Sequence, residues 1–199
     1  MCFASGARIG NGWRGADAAM NTRTIRLILW APLVLFLVFA GLFASGLIHP
    51  SSSTIRSRLI GQPLPDFALP AALPGRPSVT RATFTAGKPR LLNIFASWCV
   101  PCAAESPQLV QLRQAGVEID AIAIRDRSED VAEFLQRWGD PYGGIGSDRD
   151  SSVQLALGSS GVPETFVVDG KGIIRLQHIG DIRPADVPDI LAAVQAAGR

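Results

Sequence analysis

Hydrophobic and polar positions change rhythm several times along this chain. Leu27 to Ile48 (LILWAPLVLFLVFAGLFASGLI) runs 22 residues without a charge. As a helix rising about 1.5 Å per residue it would reach about 33 Å, enough to cross a hydrocarbon core of about 30 Å. The stretch therefore predicts a single transmembrane helix over 27–48, longer than the usual apolar core of a cleaved signal peptide. Pro32 falls in its first turns, where a missing N–H costs least. Residues 49–58 (HPSSSTIRSR) are polar and serine-rich and read as a linker. From Leu59 to Gly87 the chain carries Pro63, Pro65, Pro70, Pro74 and Pro77, which predicts extended edge segments and turns rather than helix.

Beyond Gly87 the pattern becomes regular. Arg90 to Ala96 (RLLNIFA) is a short apolar run suited to a central strand buried on both faces. Cys102 to Ala115 suits a helix, with Leu109 and Leu112 as its apolar positions. Val117 to Ile124 (VEIDAIAI) predicts a second central strand. Ser128 to Trp138 predicts a helix with Ser128 as N-cap and Val131, Phe134, Leu135 and Trp138 on one face. Asp150 to Leu157 is a short helix candidate. Thr165–Val168 and Ile173–His178 predict a hairpin turning at Asp169-Gly170-Lys171-Gly172. Pro184 to Ala197 predicts a closing helix, with Pro184 near its first position and Gly198 as terminator. The order β, α, β, α, hairpin, α predicts an α/β fold, a mixed central sheet flanked by helices.

Charge sharpens the organisation. The chain has 199 residues, 19 Lys/Arg and 17 Asp/Glu. Six of the arginines and one acid, Asp17, precede Leu59, so 59–199 is left slightly acidic. No concentrated basic face exists there to hold nucleic-acid phosphates. Arg23 and Arg26 abut the start of the apolar stretch, whereas Arg56 and Arg58 lie eight to ten residues past its end. This bias predicts the N-terminal side inside and the domain outside the cytoplasmic membrane. The predicted division is 1–26 cytoplasmic segment, 27–48 transmembrane helix, 49–58 linker and 59–199 folded domain. Met20, followed by NTRTIR, reads as a natural start, which would make 1–19 a gene-model extension or a tail.

The chemistry concentrates in two segments. Ser97-Trp98-Cys99-Val100-Pro101-Cys102 follows the first central strand and opens a helix. Cys99 falls at an exposed helix N-terminus, where free N–H groups and the helix dipole favour a thiolate. Cys102, one turn in, is placed to attack a mixed disulfide held on Cys99. Pro101 lacks an N–H where the helix needs none. Zinc binding and a purely structural disulfide are the alternatives. Zinc would need further ligands, but the remaining candidates are Cys2, His49 and His178, scattered along the chain. The second segment is Gly161-Val162-Pro163-Glu164-Thr165, just before a strand. A cis Val162–Pro163 bond there would expose the Val162 backbone for β-type pairing with a substrate peptide.

Together these segments resemble the thioredoxin fold. More narrowly, FASWCVPCAAESPQL with GVPETFVVDGKGIIRLQHIGDI resembles the DsbE/CcmG family, membrane-anchored thiol:disulfide interchange proteins of cytochrome c maturation. The resemblance covers Ile60 to the C-terminus and the plan of one N-terminal anchor. It implies Cys99 as nucleophile, Cys102 as resolving thiol, a redox-active Cys99–Cys102 disulfide, Pro163 as the cis-proline, and Glu105 and Glu164 as acidic residues of the site. Each glutamate is equally compatible with a solvated surface position. Trp98 is shared widely among thioredoxins. Where many members carry a tyrosine near the end of the second central strand this chain has Ile124, and Ser159-Ser160 also departs from the family pattern.

The resemblance further implies a protein-disulfide reductase without cofactor or metal. Its substrate would be apocytochrome c. Its partners would be a membrane thiol reductant of the CcdA/DsbD type and the cytochrome c maturation machinery. Its place would be the bacterial inner membrane, single-pass, with the domain in the periplasm. Carboxylates near a cysteine oppose thiolate formation, so Glu105 and Glu164, with Asp66 and Asp126 as possible additions, argue for a reductant over an oxidant. Three rivals stand beside this. One is a membrane-anchored thioredoxin of another extracytoplasmic pathway. A peroxidase is disfavoured because Ala96 stands three residues before Cys99. A metal-delivery module would need His178 as a ligand.

Overall fold

A computed structural model describes residues 30–41 and 59–199. They belong to two compact units, Met1–Ser53 and Thr54–Arg199. In the first, residues 30–41 form helix α1, with Trp30, Leu35, Phe36 and Phe39 exposed. Among the described residues no helix is long and apolar enough to cross a membrane. The rest of the 27–48 stretch, the segment 1–26 and the linker 49–58 lie outside them.

The second unit is built on a five-stranded sheet in the order β5-β4-β3-β6-β7. Strands β3 (Arg90–Phe95) and β4 (Ile119–Ile124) pair in parallel, and β5 (Ile145–Asp148) adds in parallel to β4. On the other side β6 (Glu164–Val168) runs antiparallel to β3, and β7 (Ile174–Ile179) antiparallel to β6. Every residue of β4 is buried, as are five of six in β3. Such strands must be covered on both faces, which is why they read as largely apolar runs, interrupted at Asn93 and Asp120. Around the sheet lie α2 (Val100–Gln114), α3 (Ser128–Trp138), α4 (Ser152–Ala156) and α5 (Val187–Ala197). The mixed, helix-flanked sheet is a thioredoxin-like α/β fold.

Several boundaries differ from the sequence reading. Strand β5 escapes it because its sequence, IGSD, lacks strand character. Gly146 is required there: a Cβ would come within 2.9 Å of the Leu69 side chain. Asp148 instead serves the next helix, accepting from Gln154 N–H at 2.9 Å. The proline-rich segment forms a two-stranded antiparallel pair, β1 (Ala68–Leu69) and β2 (Val79–Thr80), followed by a 3-10 turn over Arg81–Thr85. Helix α3 is capped by Arg127 and not by Ser128, whose hydroxyl donates to the Ala72 carbonyl at 2.6 Å and ties the helix to that segment. Helix α5 starts at Val187, and the proline in its first turn is Pro188; Pro184 lies in the preceding turn. Gly198 ends that helix at φ −88°, without using glycine's left-handed freedom.

The β6–β7 hairpin is held by its turn. Asp169 Oδ1 accepts from the N–H groups of Lys171 and Ile173, both at 2.9 Å, and its other oxygen binds Arg175. These hydrogen bonds hold the Asp169 carboxyl below its ordinary pKa against the opposing effect of burial. Gly170 meets the backbone at Gly87, where a Cβ would fall 2.3 Å from the carbonyl carbon. Gly170→Ala is expected to lower unfolding free energy by about 1–3 kcal/mol in urea titration, because backbone cannot yield as a side chain does. Gly161→Ala, where a Cβ meets nothing within 4 Å, is expected to change it by less than about 0.5 kcal/mol.

Candidate active site

Strand β3 ends at Phe95 and α2 begins at Val100, so four residues join the sheet to the helix. Cys99 is the helix N-cap, and its sulfur accepts from the Cys102 N–H at 3.2 Å. Pro101 sits in the first turn, where no donor is missed. Cys99 and Cys102 are joined in a disulfide, with Cα atoms 5.3 Å apart. Cys102 is 1% exposed. Cys99, expected at an exposed position, is only 5% exposed. The exposed residues are its neighbours, Trp98 and Val100. Phe95 supports the loop from below, stacked on Tyr142 with ring centroids 5.2 Å apart.

The ends of three strands meet at this point. Phe95 of β3 pairs with Ala123 of β4, and Ile94 with Glu164 of β6. The residues just past β4 and just before β6 therefore flank the cysteine loop. From the first side, Asp126 accepts from both the N–H and the hydroxyl of Ser97, at 2.7 and 2.6 Å. Burial raises its pKa, and the two Ser97 bonds oppose the rise. From the second side comes Pro163, buried and in a cis peptide bond with Val162.

Both glutamates are fully buried, which settles what the sequence leaves open. Glu105 lies one turn beyond Cys102, on the buried stripe of α2 formed by Cys102, Glu105, Ser106, Leu109 and Leu112. One oxygen accepts from Asn93 Nδ2 at 2.9 Å and the other from Ile182 N–H at 3.0 Å. Asn93 also donates to Thr165 Oγ1 and accepts from the Tyr142 hydroxyl, each at 2.9 Å. Burial outweighs these bonds and raises the Glu105 pKa to about 7. Tyr142 is pushed well above the ordinary tyrosine range, first by burial and then by Glu105, and keeps its proton.

Glu164 is held differently. One of its carboxylate oxygens accepts from the Ser159 hydroxyl and from Ser160 N–H, the other from Gln177 Nε2. The two serines that depart from the family pattern are thus the donors that fix the glutamate beside Pro163. Asp66 is exposed on the N-terminal segment. His178 places Nε2 3.3 Å from the Asp181 carbonyl in a mostly structural setting. Among the described residues no three metal-ligating side chains cluster.

The sequence reading passes over Asn93, Tyr142 and Gln177, and gives Ser159 and Thr165 no role in the site. Asn93 carries the clearest signal: a lone amide inside an apolar strand must have partners. Glu105 carries one too, since its spacing from Cys102, Leu109 and Leu112 places it on the helix's inward stripe.

Comparison with known proteins agrees with this geometry. The redoxin family model matches residues 59–194. The thiol:disulfide interchange protein DsbE of Vibrio cholerae is 36% identical over 170 residues, covering 83% of this chain and 91% of that one. The DsbE of Pseudomonas fluorescens is 38% identical over 168 residues, covering 84% and 93%. Among solved structures, a DsbE-type protein of Chlorobium tepidum superposes with a TM-score of 0.62 at 27% identity, over 73% of this chain and all of that one. A thio-disulfide isomerase of Thermus thermophilus gives 0.54 at 33% identity, over 68% and 96%. With a disulfide-joined cysteine pair three positions apart at the start of the helix that follows the central strand, and with these relatives, the chain belongs to the DsbE family of redoxins and is a protein-disulfide oxidoreductase.

Proposed function

We propose that this protein works as a reductant, donating two electrons from Cys99 and Cys102 to a disulfide in apocytochrome c outside the cytoplasmic membrane. The observation that carries the direction is the buried carboxyl of Glu105, one turn below Cys102. A carboxylate in that low-dielectric setting opposes a nearby thiolate, which disfavours the reduced form and makes the pair give up electrons. Asp126 and Glu164 add acidic groups at the same end of the sheet.

The steps balance as follows. The Cys99 thiolate attacks one sulfur of the substrate disulfide, and the substrate's other sulfur leaves as a thiolate and takes a proton. The Cys102 thiol passes its proton toward Glu105, whose pKa near 7 suits either state at neutral pH. The Cys102 sulfur then attacks Cys99, breaks the mixed disulfide and releases the second substrate thiol. The Cys99–Cys102 disulfide is the product state. Val162 precedes β6 and lies outside its ladder, so its N–H and C=O are available to pair with the substrate backbone. Trp98 and Pro101 shape the loop, and Glu164 holds the Pro163 segment in place.

The membrane setting rests on the uncharged 27–48 stretch and the arginines before it. A periplasmic domain cannot meet a cytoplasmic thioredoxin, so a membrane thiol reductant of the CcdA/DsbD type would restore the dithiol. Apocytochrome c as substrate, and work beside the cytochrome c maturation machinery, rest on the resemblance to the DsbE/CcmG family. A membrane-anchored reductase of another extracytoplasmic pathway is the second reading, favoured by the same site.

In the full-length membrane protein, Cys102→Ser is expected to trap the substrate on Cys99. Mass spectrometry of the trapped species should find apocytochrome c joined through a haem-binding cysteine; a different protein there selects the second reading. The measured potential should lie toward thioredoxin, about −270 mV, and a value near −120 mV would make the protein an oxidant.

Glu105 also predicts a pH dependence of stability. Folding lifts its pKa from 4.5 to about 7, so the folded state holds the proton more tightly than the unfolded one. Its favourable contribution is complete below pH 4.5 and is lost as pH rises to about 7. Over that window the oxidised protein should lose on the order of 3 kcal/mol of unfolding free energy from this group. Glu105→Gln is expected to flatten that slope in denaturant titrations between pH 4.5 and 7.5.

A further inference from the structure

Five large apolar side chains are exposed among the described residues 59–199: Ile60, Trp98, Val100, Trp138 and Leu155. Three of them converge. Trp98, Val100 and Trp138, with Ala103 and Ala104, wall a cavity of about 430 Å³ that also contains Cys99. Trp138 is the last residue of α3, 39 positions from Cys99, and 47% of it is exposed. Exposed apolar surface gathered at one point marks a contact site more often than chance scatter does. Here Cys99 itself is one of the lining residues, so a chain bonded to it is brought beside this surface.

Ser97, Trp98 and Trp138 also line a second, polar space of about 510 Å³. Its charges balance within the lining, where Arg125, Arg127 and Arg137 stand with Asp126, Asp130 and Glu133. Arg127 pairs with Asp130 at 2.7 Å, Arg137 with Glu133 at 2.8 Å, and Arg125 donates to Ser151 at 3.0 Å. This end therefore favours neither an acidic nor a basic substrate, and selection falls to the aromatic walls.

We infer that Trp138 is a specificity-determining residue: it receives an aromatic or branched apolar side chain that flanks the attacked cysteine of a substrate held in extended form. Cys99 and Trp138 line one cavity of about 430 Å³, and an extended chain advances about 3.3 Å per residue, which places that side chain within about three residues of the cysteine. The inference rests on the disulfide-exchange reading above and deepens it by naming what the substrate presents. Val162, just before β6, is not among the residues that line the cavity closed by Trp138 at the end of α3, so the two grip different parts of the substrate.

The test uses the full-length protein, reduced beforehand, with three disulfide probes. Two are synthetic disulfide peptides differing at one residue beside the cysteine, phenylalanine in one and serine in the other. The third is cystamine, which has no side chain to place. The unaltered protein is expected to reduce the phenylalanine peptide, in a single turnover, with a second-order rate constant about tenfold higher than for the serine peptide. Trp138→Ala should abolish that preference and leave the cystamine rate unchanged, which also shows that the variant folds. Trp138→Phe should keep most of the preference. Absence of a preference in the unaltered protein, or its survival in Trp138→Ala, overturns the inference while leaving the reaction intact. A dimer that Trp138→Ala dissociates in sedimentation, with faster turnover of both peptides, would assign the cavity to a second copy and overturn it as well. Failure to reduce any of the three probes overturns both the inference and the reading beneath it.

Discussion

The hydrogen bond from Asn93 to Glu105 joins the central strand to the helix that carries both cysteines. A carboxyl group with no exposure costs several kcal/mol unless donors meet both of its oxygens. Asn93 meets one oxygen, and the Ile182 N–H meets the other from the segment between β7 and α5. Strand, helix and closing loop are therefore registered by one ionisable group. Because burial still outweighs those donors, the same group holds a proton near neutral pH, where thiol chemistry needs one moved. The amide is in turn fully occupied, by Tyr142 and Thr165 as well as Glu105, so it can neither rotate nor leave the strand interior without orphaning a partner.

The rest of the site repeats this division between fixed polar groups within and apolar surface outside. Asp126 clamps the backbone of Ser97 just before the cysteines. Glu164 is clamped by Ser159, Ser160 and Gln177 just after Pro163. Neither carboxylate is free to swing toward a substrate. What faces outward is Trp98, Val100 and Trp138. The loop that performs exchange is thus held by hydrogen bonds from behind, while the face a substrate meets is shaped by side chains that make few directional demands. Such an arrangement keeps the sulfur geometry constant behind an apolar outer face.

Much of the scaffold is legible in the chain because its elements obey one period each. RLLNIFA and VEIDAIAI are apolar apart from Asn93, Glu118 and Asp120 and the leading arginine, since both faces of a central strand are covered, and they become β3 and β4. The SEDVAEFLQRW stretch keeps a helical period and becomes α3 to the residue. Strand β5 is not legible: Gly146 and Ser147 answer to Leu69 and Pro70, far back in the chain, and Asp148 to the start of α4. The same holds for Ser128, which is a good N-cap by local rules but is drawn to the Ala72 carbonyl by the packed N-terminal segment.

For the site, the cysteine pair, its place at a helix start and the Gly-Val-Pro-Glu-Thr segment follow from the order of residues alone, because thiol spacing and helix capping are local matters. Whether Glu105 and Glu164 face water, whether Cys99 is open, and whether Trp138 belongs to α3's core face or to the cysteine pocket are decided by which strands and helices meet at the end of the sheet. Burial and proton affinity depend on everything within a few ångströms in space, and most of those neighbours lie tens of residues away along the chain.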